Sequence, residues 1–358
     1  MQQTEELEFK PDLQEAKRYW RAFWAHEIID RPCIHITAPK DGPRPEQSPF
    51  YMEGSDGNFD EPVERLVEYH AHTYWGGDAI PNYCPSFGPD QFSAFLGADL
   101  EFLSPNRGTS WSVPFVENWE DALPLSIDPE NEWWGRMLEF VKRIAEATVG
   151  KMIVAHLDLH TNIDALSAIR GPQQLCEDLL DCPDLVDRAM QSVRSLFAPA
   201  YDAIYEAGDM ARRGSMCWIP TYGEGKVLTL QCDFCCMIGP AMFRRFILPA
   251  LEEEAAFLDH SIYHYDGPDA LVHLDDILGI EAIGAIQWVP GAGNRPFIEW
   301  MDLLKKIQEA GKAVWVACSP SEIPVYHREL RPELVFYTSH AKTRKEADDT
   351  VEWLRKNT

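Results

Sequence analysis

SIYHYDG (261–267), AIGAIQWVPG (282–291), AVWVACSP (313–320) and LVFYTSHA (334–341) are four short apolar runs, each closing on polar or chemically active side chains. Runs of this length, bounded by Gly and Pro, read as buried strands. Between them lie PDALVHLDDILGI (268–280), FIEWMDLLKKIQEAG (297–311) and TRKEADDTVEWLRK (343–356), whose apolar residues recur at helical spacing. Strand and helix therefore alternate, which is the pattern of an α/β fold with a parallel sheet, and the beat predicts the second half of a (β/α)8 TIM barrel. Barrel chemistry sits where strands end. These ends carry His264 and Asp266, Gln287 and Trp288, Cys318, and Ser339 with His340.

Two earlier runs have the same character. KMIVAHLDLH (151–160) delivers Asp158, His160, Asn162 and Asp164 in close succession, just before the helical stretch DALSAIR. That cluster is read either as a substrate-facing rim or as helix N-capping by Asn162 or Asp164. GSMCWIPTY (214–222) offers Trp218 and Tyr222, with Glu224 beyond. VLTLQCDFCC (227–236) then places Cys232, Asp233, Cys235 and Cys236 ahead of a long helix. A Cys-x-x-Cys pair invites a zinc or redox reading, but no further Cys or His follows at short spacing. Cys235 and Cys236 are expected to be buried, and Asp233 to face a partner, because a carboxylate among apolar residues must have one.

At the start of the chain, residues 11–29 space apolar and aromatic side chains as a helix does, with Pro11 and Asp12 at its beginning. The helix is expected to pack across the barrel base. CIHITAP (33–39) is β-branched and short enough for a first strand, with His35 expected in the core. From Tyr74 to Asp121 the sequence is rich in Gly, Pro, Trp and Tyr, which suits long ordered loops that either wall a pocket or form an aromatic cap. No repeat or linker divides the chain. The expectation is one domain over 1–358, with an N-terminal helix within 1–30 and a loop-rich insertion over 74–121.

A length of 358 residues fits one elaborated barrel. A formal net charge of −26 excludes a phosphate-backbone partner and an anionic membrane surface, both of which need clustered Lys and Arg. No basic and apolar leader opens the sequence and no apolar run reaches bilayer length, so a cytoplasmic protein is expected. Nine cysteines without a short-period framework suit reduced thiols.

The blocks HTNIDALSAIRGPQQLCEDLLDCPDLVDRAM (160–190), CDFCCMIGPAMFRRFILPAL (232–251) and YHYDG (263–267) resemble the uroporphyrinogen decarboxylase superfamily, whose members are single (β/α)8 barrels. The entry DRPCIHITAP (30–39) is similar to the start of that superfamily as well. True decarboxylases of the family hold their polyacidic substrate with an arginine-bearing signature, whereas this chain has HITAPKDGPRPEQ (35–47) there. The resemblance points instead to the zinc-dependent methyltransferase branch, which moves methyl groups between a small molecule and a corrinoid protein. That branch binds zinc through His-x-Cys on one strand and a later Cys. Here the resemblance implies His264, Asp266 and His340 as metal ligands, with a carboxylate replacing the first thiolate. Such a set is harder than a thiolate site and would suit Zn, Fe, Mn or Co.

The expected site therefore has Asp158, His160 and Asp233 as catalytic residues, Trp218, Tyr222 and Trp288 as substrate-binding walls, and a divalent metal, zinc foremost. The expected partners are a small-molecule substrate and a corrinoid protein. Two alternatives stay open: a lyase or decarboxylase on a small substrate, and a non-catalytic ligand-binding barrel. For His264 and Asp266, a buried hydrogen-bonded pair is the alternative to metal ligation.

Overall fold

The computed structural model describes residues 6–40, 52–102 and 108–358. Outside them lie 1–5 of the N-terminal segment, 41–51, where most of the stretch replacing the arginine signature falls, and 103–107 of the loop-rich region. Among the described residues there are thirteen strands: β1 (Cys33–Pro39), β2 (Thr73–Gly77), β3 (Asn82–Tyr83), β4 (Asp99–Phe102), β5 (Ser110–Val113), β6 (Ile153–Val154), β7 (Ser215–Met216), β8 (Tyr222–Gly223), β9 (Val227–Gln231), β10 (His260–Asp266), β11 (Ala285–Val289), β12 (Ala313–Ala317) and β13 (Val335–His340). Seven of them form one sheet in the order β2-β1-β13-β12-β11-β10-β9. All neighbours in it are parallel except β1 and β2. Helices separate the parallel strands, so the fold is α/β, and the first strand of the chain sits beside the last.

The sheet does not close into the single eight-stranded ladder expected from the sequence. β3 pairs with β6, β4 with β5, and β7 with β8 as separate two-stranded ladders. Single backbone bonds link this side of the molecule, including Asp78 N–H to Ile34 O (2.7 Å) and His156 N–H to Met216 O (2.7 Å). The physical reason lies in the local sequence. Pro81 and Pro85 flank β3 and Pro220 lies between β7 and β8; without N–H donors these positions cannot extend a ladder.

Alternation along the parallel strands sorts their two faces. Cys33, Val227, Ile262, Ala285, Ala313 and Phe336 share one cluster with Leu13, Ala16, Tyr19, Trp20 and Phe23 of the helix Leu13–Trp24. That helix covers the end of the sheet where the strands begin, as expected, and burying each large side chain there contributes about 2 kcal/mol. It stops at Trp24, and two residues on His26 takes a left-handed φ of 56°. The opposite face presents Ile34, Ile36, Tyr263, Tyr265, Ile286, Trp288, Val314 and Val316 to the helical layer.

The entrance to β1 is tied by an enclosed ion pair. Arg31 donates from both terminal nitrogens to the Asp78 carboxylate at 2.6 and 2.8 Å, and Asp78 also accepts the Ile34 N–H at 2.9 Å. Both side chains are buried. The segment 74–121 is more regular than a loop insertion: β2 forms the edge of the main sheet, and β4 and β5 make a hairpin.

Candidate active site

Beyond the apolar cluster, the inner face of the sheet becomes polar toward the strand ends. His264 on β10 stands in register with Gln231 on β9 and with Gln287 on β11, and Gln287 in turn with Trp315 on β12. One row of polar and aromatic side chains thus crosses four neighbouring strands. Within it His264 Nδ1 meets Gln287 Oε1. A glutamine oxygen can only accept, so Nδ1 carries a proton, and in the neutral ring Nε2 keeps its lone pair. The Trp218 ring stands edge-on to His264, with centroids 5.1 Å apart.

Next to this row lies the turn that follows β6. His160 Nε2 contacts Asp158 Oδ2 at 3.0 Å, and the Gln231 side-chain amide abuts the same nitrogen. The Asp158 carbonyl is anchored by the Gln91 amide at 2.6 Å. Asn162 opens the helix Asn162–Arg170 in a left-handed conformation, φ 58°, and donates to the Gln231 carbonyl at 3.1 Å. A non-glycine residue in that region costs about 1–3 kcal/mol and persists only where its surroundings hold it.

Asp164, two residues on, accepts the backbone N–H groups of Asp233 and Phe234, both at 2.9 Å. This fixes Asp233 beside His160. A cavity of about 400 Å³ is lined by Asp90, His160, Asp164, Asp233, Trp111 and Phe234, among others. A second cavity of about 290 Å³ is lined by Cys84, Ser86, Pro89, Asp158 and Trp218, and Pro89 borders both. Asp158 Oδ1 and Trp218 Nε1 are enclosed there and complete no hydrogen bond within strict geometry. The indole N–H is nonetheless close enough to favour the charged carboxylate. A groove of about 520 Å³ elsewhere, between Pro320, Lys342 and Trp353, is lined by the exposed Lys345–Asp349 ion pair rather than by a histidine–carboxylate pair.

Charge in this region is strongly interdependent. Burial pulls the His160 imidazole down, but Asp158, Asp233, Asp164 and Asp90 together raise its pKa above the ordinary value. Burial raises Asp158, against the pull of His160 and His264, with Asp233 adding to the rise. Asp164 is raised by burial and then by Asp233. Asp266 is raised by burial and by Asp233, with His264 opposing. Perturbations of this kind gather at functional sites, since acid/base work requires pKa values moved from their solution positions.

Asp158, His160, Asp233, Trp218 and His264 therefore come together. Asp266 follows two residues after His264 on the same face, solvent-exposed. His340 is exposed as well, and its Nδ1 pairs with Thr37 Oγ1 at 2.7 Å. Its strand β13 is separated from β10 by two strands, about 14 Å of sheet. Among the described residues no group of three or more His, Cys, Asp and Glu side chains is arranged to hold a metal ion. His264, Asp266 and His340 thus do not form a ready three-donor centre, although the lone pair on His264 Nε2 suits one ligand position.

Two of the expected substrate walls lie elsewhere. Tyr222 is buried at the other end of the sheet: its carbonyl accepts the Trp24 indole N–H at 2.7 Å and Lys17 lies over its ring. Trp288 points to the helical face, packed on Trp300 and Tyr265. Its neighbour Gln287 is the side chain that faces the site. Cys235 is buried as expected, while Cys236 is exposed, its thiol directed at the Asp233 carbonyl. His35 is a core histidine, held neutral with a pKa of about 3 by burial, His340 and Lys10.

No family model matches the chain, and no curated protein sequence matches it either. Among solved structures, a methyltransferase from Methanosarcina mazei shares the fold with a TM-score of 0.62 at 14% sequence identity. The superposition covers 96% of this chain and 98% of that one. The two therefore have the same overall architecture from end to end. Among the described residues, no helix is long and apolar enough to cross a membrane.

Proposed function

We propose that this chain is an enzyme of the uroporphyrinogen decarboxylase superfamily, its strands following the (β/α)8 path, that transfers a methyl group to or from a small molecule with a corrinoid protein as partner. The observation that carries the reading is the Asp158–His160 pair beside Asp233, opening on a cavity lined by three carboxylates and one imidazole. Among the described residues, no Lys or Arg lines either cavity. A phosphorylated or polyacidic molecule would be repelled there, whereas a neutral or cationic one is accepted, with Trp111 and Phe234 offering aromatic faces to a positive group.

The proton chemistry follows from the residues. When a methyl group leaves a neutral ether or amine without its bonding electrons, the oxygen or nitrogen keeps the pair and needs a proton, whereas a quaternary ammonium donor departs as a neutral amine and needs none. His160, raised by the surrounding carboxylates, holds one to give, and Asp158 orients the ring and steadies its charge. Asp233, fixed through its backbone by Asp164, orients the substrate. Trp218, edge-on to His264, walls the second cavity. The metal implied by the family resemblance enters no step, because His264, Asp266 and His340 are not assembled as one donor group.

The test is to mix the purified protein with free cob(I)alamin and a panel of methyl ethers, methylamines and quaternary ammonium compounds, following methylcobalamin by its absorption spectrum. Catalysed methylation from a neutral or cationic donor supports the reading. No methylation across the panel, or methylation only from phosphorylated donors, contradicts it.

A further inference from the structure

Glu254 lies on the helix Leu248–Phe257, 2% exposed, beneath the junction of the two strand ends that carry the site. Its Oε1 accepts the Thr161 hydroxyl at 2.6 Å, and its carboxyl also bonds the Asn162 side chain. Thr161 and Asn162 immediately follow His160 and form the turn into the helix Asn162–Arg170. Asn162 then reaches across to the Gln231 carbonyl at 3.1 Å, and its Oδ1 accepts the Asp164 N–H at 3.3 Å. Asp164 in turn holds the Asp233 and Phe234 amides.

The bonds form one continuous path from Glu254 to both halves of the site. Thr161, Asn162 and Gln231 are all at least 97% enclosed, so water cannot replace a lost partner without opening the packing. The path also explains how Asn162 keeps its left-handed backbone: three separate hydrogen bonds define the position of its side chain and turn.

We propose that Glu254 is a positioning residue: through Thr161 and Asn162 its carboxyl holds the turn that aims His160 at Asp158 and ties that turn to the Gln231–Asp233 strand end. Glu254 touches neither cavity lining, so it acts only through these neighbours. The other charged groups around it are Asp164 and Glu253, with Arg194 paired to Glu253 at the surface. Burial, opposed by the Thr161 and Asn162 bonds, raises its pKa to about 8, so near neutral pH the carboxyl is mostly protonated and a glutamine can take its place.

The proposal goes beyond the methyl-transfer reading and is tested without turnover, so either can fail alone. The measurement is the NMR titration of His160 in protein carrying labelled histidine, its resonance assigned with His160→Gln. In Glu254→Ala the His160 pKa should fall by about one unit as the ring leaves its carboxylate partners. In Glu254→Gln it should stay at the parent value. Thr161→Val, which removes only the hydroxyl donor, should shift it in the same direction as Glu254→Ala, and decides the matter if Glu254→Ala does not fold. An unchanged His160 titration in folded Glu254→Ala or in Thr161→Val, or a Glu254→Gln shift as large as that of Glu254→Ala, overturns the proposal.

Discussion

His264 and Gln287 face each other in register on adjacent parallel strands, and Nδ1 of the one meets Oε1 of the other. The contact decides which imidazole nitrogen is turned to Gln287. Removing it should let the ring rotate and exchange tautomers. Gln287→Leu is expected to lower activity about 10–100-fold, the range seen when an orienting partner of a functional histidine is lost. Nitrogen-15 shifts of His264 measure the cause directly, since the parent should show protonated Nδ1 and the variant a mixture.

The pH dependence of stability should report His160. Its folded pKa is raised, so its stabilising contribution is full below the ordinary value of 6.5 and disappears as pH rises through the folded value. His160→Gln should therefore lower Tm relative to the parent at pH 6 and much less at pH 9. Equal losses at both pH values would mean that the surrounding carboxylates do not raise it.

Glu254 follows the same sign with a different window. Its contribution is full below about 4.5 and is lost as pH rises through about 8. Glu254→Gln should flatten the fall in Tm across that interval and be the more stable protein above pH 8. Thermal unfolding at half-unit pH steps measures it.

Much of this architecture was legible before any coordinates. The strand CIHITAP coincides with β1, and the four late runs became β10 to β13, because β-branched runs between Gly and Pro leave few alternatives. The face of a side chain was less legible. In AIQWV the tryptophan looked like the pocket residue, yet strand parity turns Gln287 inward and Trp288 toward Trp300. Tyr222 was misplaced because β7 and β8 form a two-residue hairpin that returns the chain to the sheet's opposite end. Asp164 and Asn162 were visible as capping candidates, but their bonds to β9 and its following turn are long-range and leave no local pattern. Glu254 had no signal at all, since a Glu within LEEEAAF ordinarily reads as a solvated helix face.

The Arg31–Asp78 pair should behave as a structural element independent of the site. Arg31→Ala leaves the Asp78 carboxylate enclosed without its cation and should destabilise the protein by about 3–5 kcal/mol. Denaturant titration measures the loss, and His160 should titrate as in the parent in the variant that remains folded.

The central claim is that the Asp158–His160 pair supplies the proton for methyl transfer from a neutral small molecule. It is tested most directly by the ratio of kcat for the parent and His160→Gln, measured as methylcobalamin formation with the best neutral donor of the panel. The account predicts a ratio of about 100 or more, the usual contribution of a positioned general acid, at unchanged fold by circular dichroism. A His160→Gln protein that turns over as fast as the parent would contradict it.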